Sequence, residues 1–181
     1  MKRQDAPGEL ELVREFVNTR DLEQGTDALA TPEGLRAWLV ARTPIDEATP
    51  VDEELWRRAV LVREALRALA RANSGTPVSP EAVRVLDELA RDAAVRLRVR
   101  DAGDLELAAG DGGGLRELGG ILAVVGAAAL DGTWQRFKVC PAEDCLWAFY
   151  DHSRNRAGLW CQMAECGNRT KVRTYRARHT P

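Results

Sequence analysis

The chain has 181 residues, 45% of them apolar and 30% charged, with a formal net charge of -2; that suffices for one ordinary domain, or a medium domain with a small appendage. No apolar run reaches the ~18 residues of a membrane span, and no apolar stretch of an export signal follows the polar opening Met1 to Gly8, so the reading is a soluble, cytoplasmic protein. Charge is unevenly divided: residues 1–133 carry 17 Lys+Arg against 24 Asp+Glu, and residues 134–181 carry nine against four, which excludes a uniformly basic packaging protein and suits a chain that meets phosphate with one end only.

Glu9 to Thr19 places Leu10, Leu12, Val13, Phe16 and Val17 largely on one helical stripe, which Asn18 and Thr19 end. Thr31-Pro32-Glu33 opens a helix to about Arg42, and a loop with two prolines follows. Val51 to Ala72 reads as a long helix with Leu55, Val60, Leu61, Leu66 and Leu69 toward a core and arginines on the other side. Trp38 and Trp56 read as core aromatics. Ser79-Pro80-Glu81 starts a further helix through Ala90.

Arg96 to Arg100 and Asp104 to Leu107 alternate apolar and polar residues around Asp101-Ala102-Gly103, a β-hairpin. Gly110 to Gly114 has neither spacing of a phosphate-binding loop and reads as a link into a helix, Leu115–Leu130. Gly119, Gly120 and Gly126 on that helix permit close approach to neighbours, a second subunit included. Trp134 to Val139 then enters the last segment as a short strand.

All four cysteines lie in that segment as two C-x4-C pairs, Cys140/Cys145 and Cys161/Cys166, separated by 15 residues. Two short thiolate turns joined by such a spacer suit one tetrahedral Zn2+. Two disulfides or four scattered core thiols compete with this, as does a redox switch in which oxidation expels the metal. The first needs an oxidising compartment, and the second does not explain the clustering. Trp147, Phe149 and Trp160 read as the segment's own apolar nucleus, and Asp151 and Ser153 as turn and cap residues. His152 is left outside the ligand set, which four sulfurs complete. From about Asn168 a helix would align Arg169, Arg173 and Arg176 in one stripe, flanked by Lys171 and Arg178. With Arg154 and Arg156 these form the candidate nucleic-acid surface; Asn168 is either a base reader or a helix cap.

Trp147-x-Phe149-x-Asp151-x-Ser153-Arg154-Asn155, followed by Trp160-Cys161-x-Met163-x-x-Cys166-Gly167-Asn168-Arg169-x-Lys171, resembles the CGNR zinc-finger family. Phe16-Val17-Asn18-Thr19-Arg20 resembles the opening of the ABATE region that precedes the finger there. The resemblance implies an α+β fold, with a mostly helical ABATE-like domain with a β-hairpin over 1–133. A small four-cysteine zinc finger with a basic C-terminal helix would follow over 134–181. It also implies a bacterial transcription regulator whose finger binds DNA. An effector pocket near Asn18, Thr19 and Arg20 and a homodimer are compatible with it, although a structural role suits Asn18 and Thr19 better. A zinc-stabilised RNA-binding or protein-interaction module is the alternative. An enzyme is not expected, because four thiolates leave no open coordination position and the only histidines are His152 and His179.

Overall fold

The computed structural model describes residues 5–45, 48–110 and 113–179. In chain order these form α1 (Leu10–Val17), β1 (Arg20–Asp21), β2 (Thr26–Asp27), α2 (Pro32–Arg42), α3 (Glu53–Ala72), α4 (Pro80–Asp92), β3 (Arg96–Val99), β4 (Leu105–Ala108) and α5 (Gly113–Asp131). A 3-10 turn (Trp134–Arg136), β5 (Phe137–Val139), β6 (Ala148–Tyr150), a π-turn (Met163–Gly167) and α6 (Asn168–His179) complete the chain. The strands pair as three separate antiparallel ribbons, β1–β2, β3–β4 and β5–β6. The fold is α+β, as expected.

The helix starts follow from their caps. The Thr31 hydroxyl accepts from the Gly34 amide, Ser79 accepts from Ala82, and Asp52 accepts from Leu55; each satisfies one of the amides that a first turn leaves bare. Asp52 also explains why α3 begins at Glu53 rather than at Val51.

Helix α3 is the central strut and packs against α1, α2, α4, α5 and β5. Its polarity departs from the expected pattern in two respects. Leu61, expected in the core, is exposed, while Arg63 and Arg67, expected on the solvent side, are buried. Burying a guanidinium is tolerable only when its donors are satisfied. Arg63 Nη1 donates to Asp27 Oδ1 (2.6 Å) and Thr19 Oγ1 (3.2 Å), and its Nε to Glu64 (3.0 Å). Arg67 donates to the carbonyls of Val17 (2.6 Å) and Leu146 (2.7 Å) and to Glu64 (3.1 Å). Trp38 tilts against Phe16 with ring centroids 5.2 Å apart, and Trp56 Nε1 donates to the Leu29 carbonyl.

In the β3–β4 ribbon Leu97 faces Leu107 and Val99 faces Leu105. Leu97, Val99 and Leu105 are nevertheless exposed. Helix α5 packs closely where Gly119 lies: a Cβ there would sit 2.5 Å from Ala93 Cβ and 2.9 Å from Ala109 Cβ. Residues 111 and 112 of the glycine-rich link lie outside the described residues.

One core cluster runs through the chain, uniting Phe16, Leu66 and Ile121 with Trp134, Phe137, Val139, Ala148 and Tyr150. Three buried or half-buried polar side chains stitch the same junction. Asn18 brackets residue 148, donating to its carbonyl (2.9 Å) and accepting from its amide (2.8 Å). Asn73 donates to the carbonyls of Trp134 and Phe137, each at 2.8 Å, and Arg67 takes that of Leu146. The β5–β6 ribbon is thereby part of the main body of the molecule.

Candidate metal centre

The ribbon delivers the first cysteine pair. Cys140 follows β5 directly, and its amide donates to the Trp147 carbonyl (2.9 Å). The Cys145 and Leu146 amides both return to the Ala142 carbonyl, at 2.9 and 3.1 Å. This tight turn places Leu146 at φ +48°, a left-handed conformation uncommon for a leucine. Its carbonyl is the one Arg67 grips, so helix α3 supports the turn from behind.

The second pair is shaped by the π-turn, which the helical periodicity does not announce. Cys161 precedes it and Cys166 lies within it. At Gly167 a Cβ would lie 2.4 Å from Met163 Sδ and 3.2 Å from Trp160 Cδ1. A side chain at 167 would therefore press on Trp160 and displace the flexible Met163 side chain, a constraint sequence alone does not disclose.

All four cysteines are buried and unbridged by disulfides. Their sulfurs lie within 4.8 Å of one another, with Cys145–Cys161 and Cys161–Cys166 each at 3.6 Å. Four thiolates around zinc at about 2.3 Å would be spaced about 3.8 Å apart, so the cluster fits a tetrahedral ion with little rearrangement. Hydrogen bonds from the Cys145 and Cys161 thiols hold the Cys140 sulfur well below the ordinary thiol range. Hydrogen bonding to the Cys140 sulfur pushes Cys145 and Cys161 up, and burial pushes Cys166 up. Thiols this crowded cannot all ionise without a cation among them. Phe149 is buried beside the sulfurs, with Trp147 and Trp160 partly buried around them, as expected of the local nucleus.

A second polar element, which sequence reading missed, braces the loop between the pairs. Lys138, buried in the middle of β5, donates to Asp151 Oδ2 (2.8 Å) and to the carbonyls of Arg156 (2.5 Å) and Gly158 (3.1 Å). Asp151 also accepts from the Ser153 and Gly158 amides, at 3.0 and 2.8 Å. Burial alone would raise its pKa, but Lys138 and these donors outweigh it and hold the carboxyl at about 2. Beyond the expected turn role, Asp151 thus anchors a buried cation, Lys138. The signal available was the lone lysine in the otherwise apolar run Phe137-Lys138-Val139. His152 lies apart from the sulfurs, with Nε2 2.9 Å from the Asp5 carbonyl.

The candidate nucleic-acid residues separate into groups. Arg154 and Arg156 are exposed on the loop between the cysteine pairs. Lys171, Arg173 and Arg176 are exposed on α6, and the Asn168 side chain donates to the Ala164 carbonyl (3.2 Å). The Arg178 side chain lies outside the described residues. Arg169 is turned inward: its guanidinium meets Cys166 Sγ (3.4 Å), Glu23 Oε1 (3.0 Å) and, more distantly, Asp144 Oδ2 (3.5 Å). Arg173 lies 3.8 Å from the same Asp144 carboxylate. Glu23 and Asp144 carried no signal in the sequence, since both are ordinary acidic turn residues.

Comparison with protein families agrees with this layout. The CGNR zinc-finger model matches residues 136–179. The ABATE model, described as "putative stress-induced transcription regulator", matches residues 10–132, well over half of the chain. The chain belongs to the ABATE family. The ABATE description is that of a regulator rather than an enzyme, and this chain carries the CGNR finger in its C-terminal part. No curated protein matches it in direct sequence comparison. No helix among its described residues is long and apolar enough to cross a membrane.

Proposed function

We propose that this ABATE-family chain is a zinc-dependent, DNA-binding transcription regulator, with residues 134–181 as the DNA-binding module and 1–133 as the regulatory body. The observation that carries the reading is four buried sulfurs within 4.8 Å of one another, joined through the π-turn to a cationic helix that continues directly from it. Cys140, Cys145, Cys161 and Cys166 would hold zinc, which would act as a structural cross-link with every coordination position taken by sulfur.

The chain's own residues do the rest. Arg67 holds the turn at Cys145–Leu146, and with it the first pair, on α3, and the π-turn leads directly from Cys166 into α6. Lys171, Arg173 and Arg176 on the helix, with Arg154 and Arg156 on the loop, present cations to a phosphate backbone. A 12-residue helix is marginal alone in water, so a rigid root at the sulfur centre reduces the ordering cost of binding. Asn168 serves the helix start through its bond to Ala164.

The test is binding of the purified chain to duplexes selected from fragments of its source genome, with and without a chelator. Sequence-dependent binding that disappears with the metal supports the reading. Equal affinity for unrelated duplexes, or preference for duplex RNA at matched ionic strength, overturns it and favours an RNA-binding module.

A further inference from the structure

We propose that Arg169 is a positioning residue that ties the sulfur centre to the N-terminal body, and that it is not a nucleic-acid contact. This inference rests on the metal-binding part of the reading above and not on the DNA-binding part.

The geometry is that of a three-way bridge. One end nitrogen, Nη2, donates to Cys166 Sγ at 3.4 Å. The other, Nη1, donates to Glu23 Oε1 at 3.0 Å. Nε is sealed from solvent and faces Asp144 Oδ2 at 3.5 Å. Each nitrogen of the guanidinium thus has an anionic or sulfur atom of the chain beside it, partners with which a phosphate would have to compete.

Arginine suits this task because its planar fork can serve several acceptors at once, which a lysine ammonium on a flexible stem cannot do in the same fixed geometry. Four thiolates around one divalent ion leave an excess of negative charge. A guanidinium donating to one sulfur offsets part of that charge, as outer partners do for metal ligands in general.

The bridge continues into the body. Glu23 sits in the turn between β1 and β2, shaped by Asp21 Oδ1, which accepts from the Glu23 and Gln24 amides at 3.0 and 3.1 Å. At the far end of this ribbon Asp27 holds the buried Arg63 of α3. A continuous run of polar contacts therefore links Cys166 to the central helix through Arg169, Glu23 and the β1–β2 ribbon. Loss of the metal would loosen Cys166, and through Arg169 the ribbon.

Arg169→Ala, Arg169→Lys, Glu23→Gln and Arg169→Ala/Glu23→Gln, all in the full chain, test this. Transfer of zinc to a chromophoric chelator should be about 10- to 100-fold faster in Arg169→Ala, and less accelerated in Arg169→Lys and in Glu23→Gln. The double variant should be no worse than Arg169→Ala alone, because the two residues act as one unit. Amide exchange over residues 21–27 should rise in Arg169→Ala and on zinc removal alike. The salt dependence of binding to a random duplex should not change in Arg169→Ala, whereas Lys171→Ala should reduce its slope by about one. Unaltered zinc transfer with a reduced salt slope in Arg169→Ala would make it a phosphate contact and end the proposal. Should Arg169→Ala not fold, Arg169→Lys and Glu23→Gln decide the same question. Should the purified chain hold no metal, the metal reading fails, and non-additive melting temperatures of the Arg169 and Glu23 variants still separate bridge from no bridge.

Discussion

Asp151 shows how much one side chain does here: it orders the loop between the cysteine pairs by accepting from Lys138, Ser153 and Gly158. Its carboxyl is held at about 2 in the folded chain, below the ~3.9 of an unperturbed aspartate. A depressed native pKa means that the unfolded chain binds the proton more readily. The stabilisation is therefore complete above about pH 4 and is lost as pH falls through about 2. In chelator, to keep the metal state constant, the stability gap between the native chain and Asp151→Asn should narrow by on the order of 2 kcal/mol between pH 5 and pH 2. Denaturant titrations at each pH measure it; a gap independent of pH would show that the Lys138 pair does not hold the carboxylate. Asp151 was legible as a turn former, because aspartate before a serine-arginine stretch has that local chemistry. Its partner was not, since Lys138 lies 13 residues back on the other strand.

Among the elements, those whose ends have local chemical causes were read closely. Thr31-Pro32 and Ser79-Pro80 start helices wherever they occur in an apolar-periodic stretch, and α2 and α4 begin there. The π-turn was invisible because helical periodicity does not mark it, and the close approach of Gly167 to Met163 and Trp160 appears only once the chain is folded. The arginine face of α3 was misread for a different reason. Arg63 and Arg67 find their acceptors on residues far away in sequence, at Asp27, Val17 and Leu146. The elements around the sulfurs also differ in what supports them. Strands β5 and β6 lie in the main core, whereas α6 continues directly from the π-turn that carries Cys166. Chelation, or Cys161→Ser, should therefore abolish amide protection over 160–179 while leaving 137–139 and 148–150 largely protected. Hydrogen exchange resolves the two; loss of protection in both at once would mean that the metal supports the ribbon as well.

At the scale of the molecule, the change of charge and cysteine content near residue 133 suggested two modules, and the composition does shift there. What composition cannot carry is packing. Trp134, Phe137, Val139, Ala148 and Tyr150 belong to the same core as Phe16 and Leu66, and Asn18 brackets residue 148 from the other side of it. Ending the chain at residue 133 would strip apolar cover from α1 and α3, remove the partners of Asn18 and Asn73, and cost Arg67 its bond to the Leu146 carbonyl. Apolar surface returned to water costs about 25 cal/mol per Å², against a total stability of about 5–15 kcal/mol. A 1–133 fragment should accordingly lack a cooperative thermal transition in calorimetry, whereas a fragment ending at 159 should retain one. A sharp transition in the shorter piece would show that the body folds on its own.

The indole rings of Trp147 and Trp160 lie against the sulfurs, while Trp38, Trp56 and Trp134 are seated in the main core. Free thiols quench nearby indole emission by contact, and sulfurs committed to a closed-shell ion quench it less. Light from these two side chains thus offers a label-free gauge of occupancy at the centre. Removing each of them in turn by conversion to phenylalanine would reveal which ring reports.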